Sequence, residues 1–177
     1  MGKTFIRHCE SGVRPLEAIP ANVGDCFVAL RASRNDDSKV FFMKTILFLC
    51  TGNSCRSQMA EAIVNAHYNK DWKAYSAGTK PAGFVHLKVT TALNEIGIVH
   101  VGRSKHIDEL HTKDFDVVVT VCDDAAEECP VWPGKAGKRV HHGFVDPAKA
   151  EGTDVEQMAV FRQVRSEMVE FIQELVK

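Results

Sequence analysis

No part of this 177-residue chain is apolar for long enough to cross a bilayer. Its longest apolar runs, 40–43 and 46–50, are separated by Lys44 and Thr45, against the ~20 residues a helical span requires. Net charge is also scarce: 22 basic and 23 acidic side chains leave −1, so no field points to nucleic acid or to an anionic membrane. Neither the glycine-rich dinucleotide fingerprint nor the Walker pattern occurs, which removes the two common nucleotide loops. There is no internal repeat and no low-complexity tract. The first residues carry charge without a following apolar segment, so no secretory signal is expected.

Six cysteines would suggest a disulfide framework in an exported chain. Without an export signal the expected location is the reducing cytoplasm, where cysteines serve as nucleophiles, redox partners or metal ligands. The length suits one domain that buries its core without staples. Residues 1–42 hold only one short apolar run, 26–30, and a polar patch at 31–39. They are expected to be a poorly ordered N-terminal extension ahead of a domain spanning 43–177.

From Met43 onward strand and helix patterns alternate. Residues 44–49, 72–77, 115–121 and 138–142 read as strands, with Val117-Val118-Val119 the strongest β signal. Residues 57–68 read as a helix with Ala60, Ile63, Val64 and His67 on one face. A second helix is expected at 83–96, carrying Val89, Leu93 and Ile96. Thr153 or Asp154 caps a long final helix whose stripe is Phe161, Val164, Met168, Ile172 and Leu175. The fold class that follows is α/β, a single-domain parallel four-stranded sheet with helices on both faces.

The most informative segment is Cys50-Thr51-Gly52-Asn53-Ser54-Cys55-Arg56-Ser57, which joins the first strand to Gln58-Met59-Ala60-Glu61 at the start of a helix. A small polar loop of this length curls its N–H groups around a point, and the helix behind it aims its positive end there. The implied ligand is a tetrahedral oxyanion held by this loop, with Arg56 six positions after Cys50. The same field favours an anionic nucleophile at the rim, which makes Cys50 the candidate thiolate. Asn53 suits the bracing of a tight turn, Ser57 a hydroxyl bonded to the thiolate, and Cys55 a small loop filler. Strand ends of an open parallel sheet line the same edge as such a loop, which brings Cys122, after the third strand, near the pocket. Cys129 follows seven residues later.

Cys50-x5-Arg56 directly after the first strand resembles the low-molecular-weight protein tyrosine phosphatase superfamily. The fuller string from Cys50 to Glu61, with Gln58 where the phosphatases usually carry proline, is similar to the thioredoxin-coupled arsenate reductases built on that fold. The resemblance continues through Tyr75-Ser76-Ala77-Gly78, Val118 to Cys122, Cys129-Pro130, Gly143-Phe144, Asp146-Pro147, Phe161-Arg162 and Val164-Arg165. It covers about 43–177; Cys9 and Cys26 fall outside it.

What the resemblance implies is a redox relay. Arsenate is the substrate, bound by Thr51, Gly52, Asn53, Ser54, Cys55, Arg56 and Ser57 and clamped by the planar fork of Arg56. Cys50 attacks arsenic, and Asp146 manages the proton as general acid. Cys122 then attacks Cys50, and Cys129 attacks Cys122, leaving a Cys122–Cys129 disulfide for thioredoxin to reduce. The expected partners are arsenate and thioredoxin, with no nucleic acid and no membrane, and the expected state is a monomer. Two other readings stay open: a phosphatase with incidental cysteines, and a thiol module that binds arsenite or senses redox state. Asp146 has an alternative of its own, as the start of an Asp-Pro turn.

No metal is expected. Cys122, Cys129, His141 and His142 do not have a usual zinc spacing. Some of the reductases hold a potassium ion behind the loop at positions matching Asn53, Glu61 and Ser76. The fourth such position is His106 here, and a cationic neighbourhood disfavours the ion.

Overall fold

The computed structural model describes residues 43–123 and 131–177, all within one unit, Val40–Lys177. The expected 1–42 extension and Cys129 lie outside the described residues. Four strands, β1 (Lys44–Cys50), β2 (Trp72–Gly78), β3 (Asp114–Thr120) and β4 (Lys135–His141), form one sheet in the order β2-β1-β3-β4. Every pairing is parallel. The helices are α1 (Arg56–His67), α2 (Leu87–Asn94) and α3 (Asp154–Leu175), with single 3₁₀ turns at Ile107–Glu109 and Pro147–Lys149.

β1 is central because it is apolar on both faces: residues 46–49 are fully buried and Cys50 is 3% exposed. Ile46 and Phe48 face the larger core, shared with Met59 and Ile63 of α1, Val89 and Leu93 of α2, and Phe161 and Met168 of α3. Leu47 and Leu49 face the second layer, closed by Ile107, Leu110, Phe115 and Trp132. Helical structure thus covers both faces unequally among the described residues: three α-helices on one, a 3₁₀ turn with Trp132 on the other. β4 is an edge strand whose Lys135, Lys138 and Arg139 stand in solvent, side chains that discourage edge-to-edge pairing.

The strand order places a topological switch between β1 and β3, since the chain leaves β1 toward β2 and then returns to the other side. Ligands of open α/β sheets gather at such a point, outside the strand C-termini. Here that point lies between Cys50 and Cys122, tied together by the Val121 N–H donating to Leu49 O at 2.9 Å.

Two sequence expectations are corrected. The second helix spans 87–94 rather than 83–96. Gly83 (φ 84°) and Gly97 (φ 77°) take left-handed conformations, and His86 caps the shortened helix by accepting from the Lys88 N–H. Ile96 is consequently 38% exposed. His67 closes α1 in solvent rather than on its buried face. α3 matches its stripe, and Thr153 and Glu156 form a reciprocal capping box at its start.

Met168 is fully buried against the larger core. Met168→Ala is expected to cost about 2–5 kcal/mol, seen as a lower urea midpoint at unchanged m-value. The exposed Glu170→Ala, by comparison, shifts stability by less than ~0.5 kcal/mol.

Candidate active site

The loop between β1 and α1 is held from outside by its carbonyl groups. Thr51 O accepts from the Lys80 N–H and Gly52 O from the Ala82 N–H, both at 2.9 Å, and Ser54 O accepts from the His86 N–H at 3.1 Å. Gly52 O also accepts from Ser104 Oγ at 3.1 Å, and Asn53 O from Gln58 Nε2 at 3.3 Å. A trans peptide points its C=O and the next N–H in opposite directions. With four successive carbonyls turned outward, the N–H groups of 52–55 turn into the hollow of the loop. The Asn53 N–H shows this directly, donating to Cys50 Sγ at 3.1 Å. α1 begins at once behind the loop with no side-chain cap, so its first-turn N–H groups remain available to an anion.

Asn53 has φ 45°, the sole positive φ at a non-glycine residue among those described, a conformation asparagine tolerates better than most. Its fully buried carboxamide donates to Ser57 Oγ and to Ser76 Oγ, each at 2.9 Å. Because Ser57 Oγ accepts there, its own proton is available to Cys50 Sγ, 3.0 Å away. The sulfur thus has a backbone N–H and a hydroxyl within hydrogen-bonding distance. Glycine at 78 is required by close approach: a Cβ there would lie 2.5 Å from Thr51 O and 3.0 Å from Asn53 N.

Arg56 is 7% exposed. Its Nη1 donates to Asp123 Oδ1 at 2.7 Å and to Phe144 O at 3.0 Å, and its Nη2 lies 3.1 Å from Asp146 Oδ2. Asp146 also caps the turn that follows, Oδ1 accepting from the Ala148 N–H at 3.2 Å. The turn reading of Asp146 is thus met by one oxygen, while the other faces Arg56.

Arg56 and Asp146 line two cavities. One, of about 220 Å³, includes Cys50, Cys55, Phe84 and His86; the other, of about 530 Å³, includes Thr51, Cys122, Asp123 and Lys149. Cys122 is 6% exposed. Burial pushes the Cys55 thiol up to about 12, so it stays protonated, in keeping with a loop filler.

Asp123 and the Phe144 carbonyl were not singled out from sequence. Asp123 was within reach of the strand-end argument that placed Cys122 beside it. The Gln58 contacts had no sequence signal: its amide nitrogen donates to Asn53 Oδ1 at 3.0 Å and to Arg103 O at 3.1 Å, and its oxygen meets His100 Nε2 at 2.8 Å.

The positions that resemble a potassium site do not offer an all-oxygen cage. Asn53, Glu61 and Ser76 are gathered, but His106 turns to its own 3₁₀ turn, with Nδ1 3.1 Å from Asp108 Oδ2. The Lys105 ammonium stands instead 3.5 Å from both Ser76 Oγ and Glu61 Oε2. Among the described residues no group of three His, Cys, Asp or Glu side chains is arranged to hold a metal ion.

A parallel α/β sheet with a Cys-x5-Arg anion loop at its switch point defines a phosphatase-like oxyanion site. The chain belongs to the low molecular weight phosphotyrosine protein phosphatase family, whose profile matches residues 45–177. It is 50% identical over 126 residues to a Halalkalibacterium halodurans protein named arsenate reductase, covering 71% of this chain and 89% of that one. An arsenate reductase structure from Archaeoglobus fulgidus is similar at TM-score 0.60 and 35% identity, over 74% of this chain and 98% of its own. A low molecular weight protein tyrosine phosphatase from T. tengcongensis is similar at TM-score 0.60 and 27% identity, over 75% and 97% respectively.

Two predictions follow from this geometry. An incoming oxyanion competes with Asp123 for Arg56. Asp123→Asn is therefore expected to tighten inorganic phosphate binding by up to about fivefold, the exchange of a half-exposed ion pair worth ~1 kcal/mol, measured by calorimetry. His86 and His100 are both held below the ordinary histidine value, first of all by burial. The unfolded chain takes up their protons near 6.5 while the folded chain resists, so this part of the stability is complete above 6.5 and is lost as pH falls. Urea titrations should show stability declining from pH 7 to about pH 5, with a shallower slope in His86→Asn/His100→Gln.

Proposed function

We propose that this protein reduces arsenate to arsenite through a relay of three thiols, Cys50, Cys122 and Cys129, in the cytoplasm, with thioredoxin restoring the oxidised pair. The observation that carries the reading is Cys122 at the end of β3, on a cavity it shares with Arg56 and the loop, across the sheet's switch point from Cys50. A phosphatase has no use for a second thiol there. Relatives named arsenate reductase at up to 50% identity support the same substrate.

Arsenate enters the loop, displaces the carboxylates from Arg56 and is gripped by the guanidinium and the inward N–H groups. Cys50 thiolate attacks arsenic, forming an S–As bond. An oxygen leaves as water, its proton relayed from solvent through Asp146, which the anion has freed from Arg56 and which lines both cavities. Cys122 then attacks Cys50 sulfur. The S–S bond forms, the S–As bond breaks, and its electron pair stays on arsenic, which departs as arsenite. Two thiols have become one disulfide, and arsenic has gained two electrons. Cys129 thiolate attacks Cys122 and expels Cys50 as a thiolate, ready for the next cycle. A dithiol reductant of the thioredoxin kind reduces Cys122–Cys129. Since Cys122 is buried, the end of β3 must move for these exchanges.

Mass spectrometry of disulfides trapped after one arsenate turnover tests the relay. Wild type should yield Cys122–Cys129, Cys129→Ser should accumulate Cys50–Cys122, and Cys122→Ser should yield neither. Sustained multiple turnover by either variant with thioredoxin would sink the relay. Phosphomonoester hydrolysis that persists in both variants and exceeds arsenate turnover in wild type would favour a phosphatase.

A further inference from the structure

One hydrogen-bonded chain leads from the Cys50 thiol to a charged pair. Cys50 Sγ meets Ser57 Oγ, Ser57 accepts from Asn53 Nδ2, and the same nitrogen donates to Ser76 Oγ, whose hydroxyl donates to Glu61. At its far end the Lys105 ammonium lies 3.5 Å from Glu61 Oε2 and 3.5 Å from Ser76 Oγ, with the Lys105 and Glu61 side chains only 17% and 15% exposed. The Lys105 backbone is fixed at both ends of its peptide groups. Its N–H donates to Asn53 Oδ1 at 2.9 Å, and its C=O accepts from the Gly78 N–H at 3.0 Å.

The geometry points to Lys105 as a built-in cation for the anion loop: its ammonium stands among the groups that would otherwise hold an alkali ion and pairs with Glu61 in that ion's place. Ser76 Oγ already accepts from Asn53 and Lys105 and donates to Glu61, so its hydrogen-bonding capacity is filled. The Glu61 side chain is largely shielded from water, where a charged group is costly unless it is paired. With that carboxylate held, Ser76 orients toward it, Asn53 toward Ser76 and Ser57, and Ser57 toward the thiol. Lys105 is a positioning residue that acts through Asn53 and touches no substrate. A second cation beside the ammonium would meet direct repulsion, so the loop's competence is independent of potassium. The inference holds whichever reaction the loop carries, and its probe is therefore inorganic phosphate.

Phosphate affinity and the thermal midpoint are measured in potassium chloride and in choline chloride at matched ionic strength, because screening alone alters charged pairs. Wild type is expected to behave alike in both. In choline chloride, Lys105→Ala should bind phosphate about tenfold more weakly, the usual effect of removing a support behind a ligand-holding group, and should melt lower. Potassium chloride should restore part of both properties. The inference is overturned if wild type gains as much from potassium as the variant does, or if Lys105→Ala matches wild type in choline chloride. Should Lys105→Ala fail to fold, the neutral pair Glu61→Gln/Lys105→Met decides. It is expected to fold and bind phosphate without any response to potassium, and a potassium response there overturns the inference.

Discussion

The carboxamide of Asn53 uses all of its hydrogen-bonding capacity inside the protein, and the active-site loop takes its shape from that. Its two N–H groups reach Ser57 and Ser76, and its oxygen accepts from Gln58 and from the Lys105 backbone. These partners come from α1, from β2 and from the segment ahead of the 3₁₀ turn at Ile107–Glu109, so one side chain ties the loop to three parts of the chain. Asn53 holds a positive φ while its own N–H donates to the Cys50 sulfur. Backbone strain of this kind persists where surroundings over-determine it, and a fully buried, fully bonded side chain does so here.

The sheet supplies the second constraint. Because β1 lies between β2 and β3 and is parallel to both, the anion loop, the end of β3 and the glycine at the end of β2 all emerge at one edge. Gly78 leaves room for the loop to pass, and Val121 binds β3 to β1 just ahead of Cys122. The Cys50 thiol, an arginine and a second thiol separated by up to 72 positions thus share one neighbourhood, without any of them needing a long reach.

Arg56 joins the two cavities electrostatically. Asp123 and Asp146 occupy its guanidinium, which keeps a nearly buried cation paired in the absence of an anion. An oxyanion that takes over this fork releases Asp123, and Asp123 is the neighbour of Cys122. The Arg56–Asp123 pair thus ties the loop to the residue next to Cys122.

Much of this was legible in the chain itself. Burial of residues 46–50 in β1 and of Val117-Val118-Val119 in β3 followed from short apolar runs, and the anion loop from the spacing of Cys50 and Arg56 ahead of a helix. These are local patterns, in which neighbours along the chain carry the information. The extent of α2 was misjudged because apolar spacing continues past the point where Gly83 and Gly97 bend the backbone, and Ile96 belongs to the pattern but not to the buried face. Asp123 on Arg56, Gln58 on His100, and Lys105 in place of His106 behind the loop had no adequate local signal. Each depends on which side chains a parallel crossover brings within hydrogen-bonding distance. The amino-acid order determined the loop, the thiol at its rim and the class of fold, since these rest on local periodicity and short spacing. Folding alone decided which charges neutralise that cradle, because opposite charges distant in sequence pair only where packing excludes water and sets their separation.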